Sequence, residues 1–417
     1  MGTVNEYTER EYVRVSDRAN PRVALTVNLE KAAWISLLVL AVLTRFYSLG
    51  ERVISHDESL HTYYSWELSE GRGFQHSPLM HGPFQFHALA LSFFLLDDSD
   101  FTARVPSALF GVSAVGLLWC LRGWIGRRGA FVCAVLMTIS PVLLYYSRYV
   151  RNEALVIVWV LVMVISMVRY CGDRKAQWLY LFAAAMAFNH ATKETAFIYD
   201  AIFMLYFGLV FVRENLQQPW ASPMLKRVFG LLLFGAGVAA GSAIVLSAYG
   251  VGADVMADDI TVGGSDSGYP AFMMAAIAGV LFALAAAVVI LWSRWHVVRR
   301  YVSFDILVVM GTLVLPQLVA LPVRLILNAD PLDYSAAGMW RTGPVLAILL
   351  LISVAGGLIW DWKRWLLCAG IFYAIYVFFF TTMFSNGHGL VTGLVGSLGY
   401  WVEQQGVERG GQPWYYY

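Results

Sequence analysis

From residue 32 onward the chain is a succession of apolar runs, each close to the length a helix needs to cross a bilayer, and no soluble core could bury so many of them. They fall at about 32–49, 103–121, 130–146, 154–170, 177–192, 195–212, 228–248, 271–292, 304–327, 343–360 and 365–383. A mean hydropathy of +0.62 with only 14% charged residues places the chain in the same class. The expectation is an all-α, polytopic integral membrane protein with about eleven transmembrane helices, because only helices or closed barrels satisfy their backbone in lipid. No nucleic-acid partner is expected.

Loop charge sets the orientation. The segment "PFQFHALALSFFLL", 83–96, has the length of a re-entrant or interfacial helix rather than a span. If it does not cross, the clusters around Arg122–Arg128, Arg169–Lys175, Arg213–Arg227, Arg294–Arg300 and Lys363–Arg364 all face inward, as positive-inside demands. If it does cross, all of them face outward. The first reading gives a cytoplasmic tail over 1–31, a retained signal anchor at 32–49, a first outer loop at 50–102 and a transmembrane domain over 32–417. The glycine-rich segment 384–417 is then outer, and its end at "GGQPWYYY" reads as a cut before further spans. The four cysteines fall at or near the inner side and read as reduced packing residues.

Chemistry concentrates on the outer side. The first outer loop holds "VISHDESLHTYYSWELSEGRGFQHSPLMHGP", with adjacent carboxylates Asp57 and Glu58 and four of the eight histidines, His56, His61, His76 and His81. An acidic pair beside a span is more often a solvated loop end than a site, but it also suits a general base at the reach of a lipid-borne substrate. "HDESLH" is not a zinc-protease HExxH, since Asp57 intervenes. Arg148, Arg151 and Glu153 share the short turn "YYSRYVRNEA", and His190, Lys193, Glu194 and Asp200 cluster in "NHATKETAFIYD", where a structural Lys193 to Asp200 pair competes with a functional role. Arg104 opens the second span and faces either water or the site.

In their order along roughly residues 30–210, "HDESLHTYY", "HGPFQF", "RVPSALFG", "SRYVRNEAL" and, more weakly, "ATKETAF" resemble the GT-C type glycosyltransferases that use polyprenyl-phosphate sugars. These include protein mannosyltransferases and the aminoarabinose transferases of lipid A. "YWVEQQGVERGGQPWYYY" and the HGP variant are most similar to the archaeal-type branch described as flippase-activity-associated proteins. The resemblance implies transfer of a sugar from a polyprenyl-phosphate carrier to a glycan, lipid or protein acceptor on the outer face of the plasma membrane, by inversion. It places the general base on Asp57, with Glu58 beside it, and the carrier phosphate among Arg104, Arg148, Arg151 and Lys193. Glu58, Glu153, His81 and His61 are left to hold a divalent cation, magnesium or manganese, or to orient sugar hydroxyls. Where some relatives have a Glu-Lys pair before the proline, this chain has His81 and Gly82. The other reading is a non-catalytic protein that assists translocation of a lipid-linked glycan. Only the enzyme requires Asp57 itself.

Overall fold

The computed structural model describes residues 21–220, 222–256 and 269–404, and every regular element among them is helical. The helices are α1 (Pro21–Phe46), α2 (His56–Ser69), α3 (Phe84–Leu96), α4 (Asp100–Leu117), α5 (Arg127–Ile139), α6 (Pro141–Tyr146), α7 (Glu153–Asp173), α8 (Ala176–Thr192), α9 (Ala196–Gln217), α10 (Pro223–Met256), α11 (Tyr269–Val298), α12 (Val302–Val314), α13 (Ala320–Leu325), α14 (Ala336–Phe380), α15 (His388–Val391) and α16 (Ser397–Gln404). The all-α membrane class is as expected. The chain's last residues, where the sequence suggested a cut edge, lie outside the described residues, as does most of the N-terminal tail.

Among the described residues seven helices are long and apolar enough to cross a membrane, against the eleven or so runs read from the sequence. Part of the difference is local geometry. The run at 130–146 is split between α5 and α6, because Pro141 lacks an N–H and opens a new helix while the Ser140 hydroxyl accepts the Leu143 N–H. Helix α8 has only 17 residues. The runs at 343–360 and 365–383 lie on either side of a break within α14 at Asp361 (φ −160°, ψ 98°), beside the basic pair Lys363 and Arg364, so they remain separate helical segments. Helix α1 begins at Pro21, ahead of the expected boundary at 32.

The helices have two chemically distinct ends. At one, Arg169 donates to the Cys120 carbonyl, Arg174 to the Arg300 carbonyl and Arg299 to the Trp360 carbonyl, so basic loops distant in sequence meet there. Buried Asp305 fastens this end by accepting from the Tyr170 hydroxyl (2.6 Å), the Trp360 indole (2.8 Å) and Arg174 (2.9 Å). At the other end lie the turns 47–55, 147–152 and 193–195. Between the ends, α7, α8, α12 and α14 share the largest apolar core, and Trp34 centres a second between α1, α4 and α5.

Helix α3 does not cross. Its entry, Gly82, abuts Ala191 at the end of α8, and Ser92 near its exit donates to the Thr102 carbonyl at the start of α4, so both ends of α3 sit at one end of the bundle. One face is buried through Phe86, Leu89 and Phe93, while Phe94 is 76% exposed and Leu95 and Leu96 lie bare beside it, as an interfacial helix requires. The entry is tightly specified. A Cβ on Gly82 would sit 2.3 Å from the Ala191 carbonyl oxygen, and His81 before it adopts φ 67°, in the left-handed region.

The first loop is held by buried polar groups. Ser55 caps α2, and Glu58, three residues on, accepts the Ser55 N–H at 3.1 Å. Glu58 is fully buried and also accepts from Arg104 Nε (2.9 Å) and Nη2 (3.0 Å), the Val150 N–H (3.1 Å) and Arg52 (3.0 Å). Arg104, 1% exposed, spends its remaining N–H groups on the carbonyls of Leu49, Arg52 and Val53. Turn 47–55, α2, α4 and turn 147–152 thus close on one ion pair. Farther along, His76 Nδ1 meets the Thr392 hydroxyl at 2.9 Å with its ring against Phe380, and Thr382 donates to the Phe74 carbonyl.

These groups make stability acid-sensitive, with a computable sign. Burial alone would raise the Glu58 pKa, but the hydrogen bonds from Arg104, Ser55 and Val150 hold it at about 2, below the usual 4.5. Its contribution is complete above about pH 4.5 and is lost as pH falls toward 2. Burial lowers His61 to about 4 and His76 to about 3 from 6.5, so the folded state resists protons that the unfolded chain takes up. Their contribution is complete above about pH 6.5 and drains as pH falls through those values. Thermal unfolding of the solubilised chain should therefore be level near neutrality, decline below about pH 6.5 and steepen below about 4.5. A midpoint that stayed level from about pH 7 to 4 contradicts this anchoring.

Candidate active site at the loop end of the bundle

Asp57 and Glu58 are neighbours in the first turn of α2, and helical geometry turns them in different directions. Glu58 points into the protein. Asp57 is 55% exposed at the side chain and meets a single partner, Arg151 Nη1, at 2.7 Å through Oδ2. An acid at this position is favoured by the helix dipole.

From Arg151 the charges alternate across three turns of chain. Arg151 Nε lies 3.9 Å from Glu153 Oε2 at the start of α7, and Glu153 Oε1 accepts from Lys193 Nζ at 2.7 Å just past the end of α8. Lys193 is well placed to answer the negative end of α8. Beside it, His81 Nδ1 lies 2.8 Å from Glu194 Oε2. His61, on α2, is buried with its ring against Phe86 and feels the charges of His81, Arg151, Glu153 and Asp57. The residues picked out in the first loop, the second turn and the 190s therefore do come together.

Three of the expected roles change. Arg104, expected to hold the carrier phosphate, has all five of its N–H groups engaged inside the protein. Glu58 is not a base for the same reason: donors surround both of its oxygens. Asp200 does not pair with Lys193 but with His190, at 2.6 Å, both side chains being buried. Among the described residues no group of three or more His, Cys, Asp or Glu is arranged around one point. Glu153 pairs with Lys193, His81 with Glu194, and the His61 ring lies against Phe86.

Sequence reading missed Arg52, which reaches Glu58 while its guanidinium lies over the Tyr149 ring at 5.0 Å. Arg52, Arg104 and Arg148 line a cavity of about 330 Å³ together with Ser48, Leu144 and Tyr145. Arg148 is steadied there by the Thr44 (2.9 Å) and Ser48 (3.3 Å) carbonyls at the end of α1. No signal in the sequence distinguishes Arg52 from any cation beside a span. Gln85 and Asn152 were missed as well. Both are fully buried, and neither side-chain amide has a hydrogen-bond partner.

Residues 80–238 match the family described as dolichyl-phosphate-mannose-protein mannosyltransferase, a stretch that takes in His81, Arg104, Arg148, Arg151, Glu153 and Lys193 but not Asp57 or Glu58. No curated protein matches the chain. Among solved structures it is similar to ArnT from Cupriavidus metallidurans bound to undecaprenyl phosphate, at 15% identity and a TM-score of 0.39 over 90% of this chain and 81% of that one. It is also similar to the apo state of the same protein, at 17% identity and a TM-score of 0.35 over 88% and 78%. Likenesses that loose carry no inference about chemistry. The family match is separate from them: over residues 80–238 the chain is similar to that mannosyltransferase family, a stretch that takes in the HGPFQF, RVPSALFG, SRYVRNEAL and ATKETAF motifs.

Proposed function

We propose that this protein transfers a sugar from a polyprenyl-phosphate carrier to a glycan, lipid or protein acceptor at the outer face of the plasma membrane, with Asp57 as general base. One observation carries the reading. Of the two adjacent acids, one is consumed as a buried anchor and the other is presented to solvent, with Oδ2 fixed by Arg151 and no partner on Oδ1. The family matched by residues 80–238, whose description names a dolichyl-phosphate-linked mannose donor, supports the donor class.

In this mechanism the acceptor hydroxyl attacks the anomeric carbon and gives its proton to Asp57 Oδ1. The bond from that carbon to the phosphate oxygen breaks, and the electron pair leaves on the carrier phosphate. A phosphate is a good leaving group, so no acid is needed to protonate it, and displacement from the opposite face inverts the anomeric centre. Arg148 and Arg52, at the cavity beside the loop, receive the phosphate charge. Arg151 and Lys193, each matched to a carboxylate, hold the base and the turn behind it. Glu153, His81 and His61, beside the pairs they already make, are then left to orient sugar hydroxyls.

The test separates base from cradle, using the purified protein, a panel of labelled polyprenyl-phosphate sugars, donor titration and single-turnover transfer. Asp57→Asn should lower transfer by roughly 10² to 10⁴ with donor affinity nearly unchanged. Arg148→Gln should weaken donor binding by roughly 1.5 to 3 kcal/mol, with transfer falling in step. Full transfer by a folded Asp57→Asn protein would remove Asp57 from the role of base, while a folded parent protein that binds donors of the panel but transfers none would overturn the catalytic reading in favour of a translocation accessory. Loss of donor binding as severe as loss of transfer would remove Asp57 from the role of base.

A further inference from the structure

A second cavity, larger than the one beside Arg148, lies away from this site. It lies at the opposite, basic end, has a volume of about 560 Å³, and is lined by Glu30, Lys31, Trp119, Arg122, Arg127 and Arg169 among others. Four cations face one carboxylate. Glu30 reaches Arg122 and Arg127 only at 3.6 and 3.5 Å, so it offsets one charge and leaves the cavity strongly positive. Two of the cations are fixed in place: the Arg122 guanidinium lies 3.3 Å from the Trp119 ring centroid, and Arg169 donates to the Cys120 carbonyl at 3.3 Å. Lys31 is exposed and has no ion-pair partner among the described residues, and the Arg127 side chain is 72% exposed.

The surroundings indicate what such a cavity would take. Along the chain from its wall, Trp124, Ile125, Val132 and Leu136 are exposed apolar side chains, and a tryptophan at that level suits the membrane interface. A bare phosphate would fill a small part of the volume, which falls in the range of pockets that enclose a whole small ligand. We infer that this cavity binds the phosphate headgroup of an anionic phospholipid of the adjoining leaflet, its acyl chains lying along the exposed face of α5. The cations would supply the charge recognition, and the planar Arg122 on Trp119 a fixed pair of N–H groups toward the phosphate oxygens.

The experiment uses the detergent-solubilised full chain, delipidated and titrated with short-chain phosphatidylglycerol, short-chain phosphatidylcholine or inorganic phosphate, with bound lipid counted by native mass spectrometry. One phosphatidylglycerol should be retained at least about tenfold more tightly than phosphatidylcholine. Lys31→Gln with Arg127→Gln should weaken it by roughly 10- to 30-fold, at about fivefold per cation. Lys31→Arg with Arg127→Lys should keep it, and Lys363→Gln, at the same end but outside the cavity, should leave it unchanged. Equal retention of the two lipids overturns the proposal, as does indifference to the paired Gln substitutions or an equal loss on Lys363→Gln. Saturation by inorganic phosphate with no added affinity from the lipid would replace the headgroup with a soluble anion and equally overturn it.

Discussion

Glu58 is a carboxylate taken wholly out of solvent, and a charge so placed must be answered by donors or it unfolds its surroundings. Arg104 answers it with two N–H groups, and the backbone of Ser55 and Val150 with one each. The consequences run outward from that pair. Because Arg104 belongs to α4 and Val150 to the turn before α7, the start of α2 is fixed against two helices at once. Because Glu58 must point inward, Asp57 is turned to the surface, where Arg151 from the same turn reaches it. One buried anion thus decides which of two neighbouring acids is free for chemistry.

Most of the architecture was legible in the sequence, because bilayer length and loop charge are strong constraints. Apolar runs marked the helices, and the basic loops meet at one end as the charge argument required. The 13-residue α3 stays at the other end. Span counting was less direct, since composition does not register a break such as Ser140–Pro141. At the site, the clustering of the first loop, the second turn and the 190s was legible, but the division of labour was not. One missed signal was present. Ser55 followed three residues later by Glu58 is a capping-box spacing, and it marks Glu58 as a structural acid. The engagement of every Arg104 N–H, the contribution of Arg52 and the pairing of Asp200 with His190 depend on tertiary contacts that no local pattern encodes.

The two ends of the molecule handle charge differently. At the loop end, acids and bases alternate from Asp57 through Arg151 and Glu153 to Lys193, so the local charge is nearly balanced and each group is positioned by the next. That arrangement favours orientation over attraction. At the basic end, cations outnumber their partners around a large cavity, which favours capture of an anion. Membrane burial explains why both patterns are confined to the ends: between them, an unpaired charge would face hydrocarbon.

The central claim is that the Glu58 and Arg104 charges act as one structural unit rather than as catalyst and ligand. A double-mutant cycle of Glu58→Gln, Arg104→Met and the pair, read as unfolding free energy of the solubilised chain, tests it most directly. Each single change leaves the other charge buried without its partner and should cost about 3 to 5 kcal/mol, while the double variant should cost well under the sum, with a coupling of about 2 kcal/mol or more. Additive costs, or two well-folded single variants that differ from the parent only in sugar transfer, would contradict the account.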